Sequence, residues 1–203
     1  MKRTLIVLIA ILFFAGIQVS QAQKLKLKEG SLSFLKGQKE INIQFDYSNM
    51  SVGKFENEED YITKKKADYN ADEPGRGDRW AKDWVDDRVN VYEPQFQELM
   101  NKYLTEIGLK VVHNDQAKYT MIFHTTFTEP GFNVGVWRGD AYIDAEIRIV
   151  ETANPGKVLA LITMEDSRGR TFGGNDYDTG TRISESYAKG GKELAKFMMK
   201  HMK

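Results

Sequence analysis

No cysteine occurs in the 203 residues. Disulfides, thiolate nucleophiles, iron–sulfur clusters and cysteine zinc sites are therefore excluded. Nor does either sign of charge dominate. Lysine and arginine total 29 and aspartate and glutamate 29, so bulk electrostatics give no case for nucleic acid or an anionic membrane surface. The three histidines, His113, His124 and His201, show no ligand spacing such as H-x-x-x-H, and no metal or other cofactor is expected. There is no Gly-x-Ser-x-Gly elbow, phosphate loop or dinucleotide fingerprint. The "GGNDYDTG" stretch at 173–180 has calcium-loop composition without the twelve-residue ligand pattern. Long apolar runs are missing too, apart from Leu5 to Ile17, which falls short of the roughly 20 residues that span a bilayer.

That short run has a meaning of its own. Lys2 and Arg3 precede it, and Ser20 and Ala22 follow as small residues three and one before a cut. A positive end, a greasy middle and a small-x-small exit make a secretory signal peptide. Residues 1–22 are read as that leader. Residues 23–203 are read as one domain of a periplasmic or secreted protein of the Gram-negative envelope, with no membrane span in the mature chain.

The period of the apolar residues supplies the elements. Leu32 and Phe34, a turn at "KGQK", and Ile41, Ile43, Phe45 and Tyr47 predict a hairpin. The charged stretch 48–77 holds a short helix within "ENEEDYITKKKADYN", broken by "ADEPGRGD". Asp78 is placed to cap a helix carrying Trp80 and Trp84 on one face, a spacing that suits packing on a sheet more than sugar stacking. Pro94 opens the next helix, which buries Phe96, Leu99, Met100, Tyr103, Leu104 and Ile107 and stops at Gly108. The segments "LKVV", "AKYTMIFHTTF" and 139–165 read as strands, the last as a hairpin turning at "NPGK", and a helix closes the chain from about Thr181 to Met199. The expected fold is α+β: a single mixed, largely antiparallel sheet with amphipathic helices packed on one face.

Asp144, Glu146 and Arg148 alternate with Ile143, Ala145, Ile147 and Ile149. Two carboxylates at that spacing could serve a hydrolase, but a catalytic acid needs a raised pKa, which Arg148 beside them opposes. The favoured reading is the wet face of a half-buried sheet. The two "RGD" tripeptides, at 76–78 and 138–140, mark turns and not adhesion motifs.

The phrases "INIQFDYSNM", "LTEIGLKVVHNDQAKYTMIFHTTF", "AEIRIVETANPGKVLALITM" and "YAKGGKELAKFM", in this order of elements, resemble small envelope domains. The group is that of the curli-secretion lipoprotein and the amino-terminal domain of the Tol translocation protein. The similarity spans about Ile41 to Met199. Glu151 stands where that group has aspartate, Asn154 and Pro155 are extra, and the lipidated cysteine of its lipoprotein members is absent. The resemblance implies a non-catalytic envelope accessory domain that binds an envelope protein. A small-ligand or glycan-binding domain and a carboxylate-dependent hydrolase stay open as alternatives. Strand direction gathers the loops 129–140 and 167–180 at one end of the sheet, together with 48–77. Phe132, Trp137, Arg138, Phe172 and Tyr177, with Trp80 nearby, form the expected partner-binding surface there.

Overall fold

A computed structural model describes residues 24–134, 137–169 and 178–203. Residues 1–22, expected to be a leader, and Phe172 and Tyr177 lie outside the described residues.

The sheet has the order β1-β9-β8-β5-β2-β4. Its strands are β1 (Lys24–Gly30), β2 (Glu40–Asp46), β4 (Lys110–Val112), β5 (Tyr119–Glu129), β8 (Tyr142–Glu151) and β9 (Asn154–Arg168). A two-residue strand, β3 (Ser51–Val52), continues beside β5 beyond the end of β2. Pairs involving β8 and β9 are antiparallel, while β2 runs parallel to both β4 and β5. A separate two-stranded arm, β6 (Phe132–Val134) and β7 (Trp137–Gly139), projects between β5 and β8. Among the described residues, four α-helices accompany the sheet: α1 (Glu58–Asp72), α2 (Arg76–Asp87), α3 (Glu93–Leu104) and α4 (Thr179–His201). The α+β class and the mixed sheet are as the sequence predicts.

The period-two alternation does its work most plainly in β8. Ile143, Ile147 and Ile149 are fully buried; Ile147 pairs with Phe123 and Ile162 on the flanking strands, and Ile149 with Met121. Phe96 of α3 lies 4.5 Å from the Phe123 ring, and Tyr187 of α4 lies 6.0 Å from it. Helices and sheet thus share one core. Two glycines set how closely the helices approach. A Cβ on Gly191 would lie 2.2 Å from the Phe96 carbonyl oxygen, and one on Gly77 would lie 2.1 Å from that of Lys66. No other residue fits at either crossing without moving backbone.

Several local expectations are corrected. Leu32 and Phe34 do not enter a hairpin with β2. Ser33–Leu35 is a 3-10 turn that sends Leu32 and Leu35, three apart, into the core. The edge partner of β9 is instead β1, where Leu25 and Leu27 alternate with lysines. Asp78 does not cap α2. The helix starts at Arg76, Asn70 of α1 accepts the Gly77 N–H at 2.7 Å, and the Asp78 carboxylate turns to Lys66 and Asn70. The β8–β9 hairpin turns at Thr152–Ala153, not at "NPGK". Register pairs Glu151 with Asn154 and Val150 with Val158, so residues 155–157 bulge from β9. Ile107, placed among buried residues by its helical spacing, is 47% exposed because the last turn tightens to a 3-10 helix and rotates it outward.

Pro94 opens α3 without breaking the helical run. Arg88–Tyr92 widens to a π turn that joins α2 to α3. Proline has no N–H to give the carbonyl four residues back, and the wider turn accommodates that loss. Among the described residues, no helix is long and apolar enough to cross a membrane.

Candidate functional site

The carboxyl end of β5 and β9 and the start of α4 meet at one end of the sheet, and Arg182 ties the start of α4 to the segment after β5. Its Nε donates to the Pro130 carbonyl oxygen at 3.1 Å and its Nη2 to the Thr179 hydroxyl at 3.0 Å. Ser186 adds a second clasp. It donates to the Ala141 carbonyl oxygen at 3.0 Å and accepts the Gly169 N–H at 3.1 Å. The base of the β6–β7 arm is therefore held to α4 by buried polar bonds, each the kind that costs free energy to leave unmade.

On this base the arm presents an apolar face. Phe132 pairs with Gly139 and Val134 with Trp137, so Phe132, Val134 and Trp137 share one side of the ribbon and Asn133 and Arg138 the other. Phe132 is 50% exposed, Val134 67% and Trp137 72%. The Phe132 ring lies over Gly139, where a Cβ would meet its Cε1 at 2.7 Å. Three large apolar side chains on one side of a thin ribbon make a patch of the kind that marks an interaction surface, unlike apolar residues scattered singly.

Trp80 belongs to a second feature. Its ring neighbours are Tyr61, Tyr69 and Trp84, with centroids 5.6–5.7 Å away, and none of these is on the arm. Together with Tyr69, Arg76, Asp83, Trp84, Asp87, Asp178, Thr179 and Gly180 it lines a cavity of about 220 Å³. The first turn of α4 adjoins both features, since Thr179 and Gly180 line the cavity and Arg182 holds the arm. Phe132, Trp137 and Arg138 lie together on the arm, whereas Trp80, expected near them, sits in the neighbouring aromatic cluster.

A polar network fixes the Trp84 wall from behind. Trp84 Nε1 donates to Glu58 Oε1 at 2.6 Å, and the same oxygen takes a hydrogen bond from Arg88 Nη2 in an ion pair whose side chains are only 17–18% exposed. Arg88 in turn lies 4.4 Å over the Tyr47 ring, and the Tyr47 hydroxyl donates to Glu93 at 3.3 Å. Tyr187 bonds Thr125 at 2.7 Å and stacks on Tyr92 at 5.2 Å. Burial pushes the Tyr47, Tyr92 and Tyr187 hydroxyls well above the ordinary tyrosine range, so all three are neutral hydrogen-bonding groups near neutrality. The π turn carries Arg88 and Tyr92 into this network.

Electrostatics of the cavity differ from those of the network. Burial, then the charges of Asp178 and Asp83, raise the Asp87 carboxyl above the usual carboxylate range. Arg76, the cation in the lining, sits 4.7 Å over Tyr69 and pairs with Asp72 at 3.9 Å. The repeated "W-x-x-D" in "WAKDWVDD" is the sequence signal for half of this site. Asp178 and Gly180 arrive from the far end of the chain and leave no such trace.

The charged row of β8 is less wet than its alternation suggests. Asp144, Glu146 and Arg148 are half-buried. Asp144 accepts the Asp166 N–H at 2.7 Å where β9 bulges and Asp166 takes φ +56°. Burial raises the Asp144 carboxyl, and that N–H opposes the rise. Arg148 lies 3.7 Å from Glu146 and 3.9 Å from Asp46. These contacts are structural ones within the open sheet face. No group of three or more potential metal ligands converges among the described residues.

Neither a family model nor a curated protein matches the sequence. Among solved structures the chain is similar to the PelC dodecamer from Paraburkholderia phytofirmans. Identity is 10%, coverage is 83% of this chain and 96% of that one, and the TM-score is 0.37. A single-residue variant of that dodecamer gives 12% identity, the same coverage and a TM-score of 0.34.

Proposed function

We propose that this chain is a non-catalytic accessory domain of the bacterial envelope, periplasmic or secreted, which docks a protein partner on the apolar face of the β6–β7 arm. The observation that carries the reading is the exposure of Phe132, Val134 and Trp137 on one side of a ribbon whose base is clamped to α4. Burying a tryptophan and a phenylalanine there would supply hot-spot contacts at little ordering cost, because the base is already fixed. The leader at 1–22 and the resemblance to the curli-secretion and Tol group support the compartment.

Site-specific photo-crosslinking in the native host tests this. A photoreactive side chain at position 134 or 137 is expected to capture one and the same protein, which the same probe at the exposed Val158 of β9 does not capture. Capture of unrelated proteins at the two arm positions, or equal capture at 158, would overturn the reading. Intact-mass measurement of the exported chain is expected to show Gln23, or its cyclised form, at the amino terminus.

A further inference from the structure

We propose that the cavity between α1, α2 and the first turn of α4 is a binding site for a small organic cation, an ammonium group seated against Trp80 and Trp84 and neutralised by Asp87 and Asp178. The walls come first. Indole and phenol faces attract a cation through their quadrupoles, tryptophan most strongly. Here two indoles lie 5.6 Å apart, and Tyr69 lies 5.6 Å from Trp80. Trp84 is a fixed wall, since its N–H is bonded to Glu58 and that carboxylate is held by Arg88. The fold has already aligned the rings before any ligand arrives.

The floor is Gly180, which is buried. A Cβ there would lie 2.2 Å from Asp87 Oδ2 and 3.2 Å from Asp178 Oδ2. Both carboxylates therefore pack against Gly180, and a side chain there would have to displace the Asp87 oxygen. Asp178 caps α4 through the same Oδ2, accepting the Thr181 N–H at 2.7 Å, while its Oδ1 has no hydrogen bond to it among the described residues. Asp87 receives one long hydrogen bond, 3.5 Å from the Tyr92 hydroxyl. No ion pair within 4.0 Å reaches Asp83, Asp87 or Asp178 among the described residues. Among the described residues, three carboxylates thus face the cavity without an ion-pair partner, and the cation in the lining is committed to Tyr69 and Asp72.

Those carboxylates do not converge as a metal site. A bare ion would need several oxygens at 2.0–2.6 Å, whereas a cation of greater radius with an apolar skin uses the rings and carboxylates together. The volume of about 220 Å³ lies below the range for drug-sized ligands and suits one small group. A neutral molecule of the same shape would gain the ring contacts and leave the carboxylates as they are. An anion would be repelled.

The test uses the mature chain and choline, with 3,3-dimethylbutan-1-ol as the neutral isostere. Choline at millimolar concentration is expected to shift the NMR resonances of the Trp80 and Trp84 indoles, the isostere binding at least about tenfold more weakly. Asp87→Asn and Trp80→Ala should each weaken choline by a similar factor, and Gly180→Ala, which fills the floor, should abolish its binding while Trp137 resonances stay unmoved throughout. Since Gly180→Ala is the variant whose folding is least assured, Asp87→Asn, which keeps shape and acceptor, is the deciding one. Equal binding of the isostere, choline affinity unchanged in Asp87→Asn, or no response of Trp80 and Trp84 to choline would each overturn the proposal.

Discussion

Replacing Glu58 by alanine should destabilise the domain by about 3 kcal/mol, for three reasons that can be weighed separately. The Trp84 indole N–H, now bonded to Glu58 at 2.6 Å, would lose its acceptor in a residue only 6% exposed, and an unsatisfied buried donor costs about 1–3 kcal/mol. Arg88 would lose its counterion. Breaking a fully buried pair costs about 3–5 kcal/mol, but side chains 17–18% exposed admit some water, so a value near or below the lower limit applies. The third loss is small: Glu58 lies in the first turn of α1, where a carboxylate favours the helix dipole by about 0.3–1 kcal/mol. These contributions overlap, which keeps the total near 3 kcal/mol. Equilibrium urea unfolding of Glu58→Ala, Arg88→Met and the double variant measures it. Because Arg88→Met removes the charge that Glu58→Ala strands, the double variant should cost less than the two singles together, with a coupling of about 1–2 kcal/mol. A Glu58→Ala loss below about 0.5 kcal/mol, the range of ordinary surface sites, would refute the claim that this network fixes Trp84.

The remaining expectations are independent of that one. Ile147→Ala should cost about 2–5 kcal/mol through the cavity it leaves, against less than about 0.5 kcal/mol for Glu146→Gln on the opposite face; comparing urea midpoints checks the order. Asp144→Ala should cost more than Glu146→Ala, because it removes the acceptor of the Asp166 N–H at the bulge. Gly77→Ala should lower the midpoint by an amount in the overpacking range of about 1–3 kcal/mol or more, since its Cβ meets the Lys66 backbone. For Asp87, faced by Asp83, Asp86, Asp178 and the Tyr92 hydroxyl, the folded pKa lies above the unfolded one. The folded state therefore binds the proton more tightly, and its contribution to stability rises as pH falls through the folded pKa. Asp87→Asn should raise the urea midpoint at neutral pH and remove that part of the acid-side rise.

How much of this was legible in the sequence depended on whether a signal was local. The alternation of Ile143, Ile147 and Ile149 fixes which side of β8 is buried, and "AKYTMIFHTTF" and the closing helix are equally plain, because each pattern is complete within one element. The false hairpin at Leu32–Phe34 arose because two apolar residues two apart fit a strand, while the pair that packs, Leu32 and Leu35, has the spacing of a turn of helix. "NPGK" is the stronger turn chemistry, yet pairing of β8 with β9 places the turn at Thr152–Ala153 and makes the Pro-Gly step a bulge. At the site, Phe132, Trp137 and Arg138 are neighbours in sequence and share the β6–β7 arm. The Glu58–Arg88 pair joins residues 30 apart, and Asp178 joins Asp87 only through the placement of α4, so neither could be read along the chain. Asp144 looked wet because the bulge that brings the Asp166 N–H to it lies on another strand.

The most direct test of the docking claim is the paired substitution Phe132→Ser and Trp137→Ser, read by urea unfolding and by copurification of the protein crosslinked at position 137. Both side chains are at least half exposed, so removing them should move stability by no more than about 0.5 kcal/mol while partner recovery is lost. A large fall in stability with the partner still recovered in proportion to folded protein would mean that these aromatics hold the arm together, and would contradict docking on its apolar face.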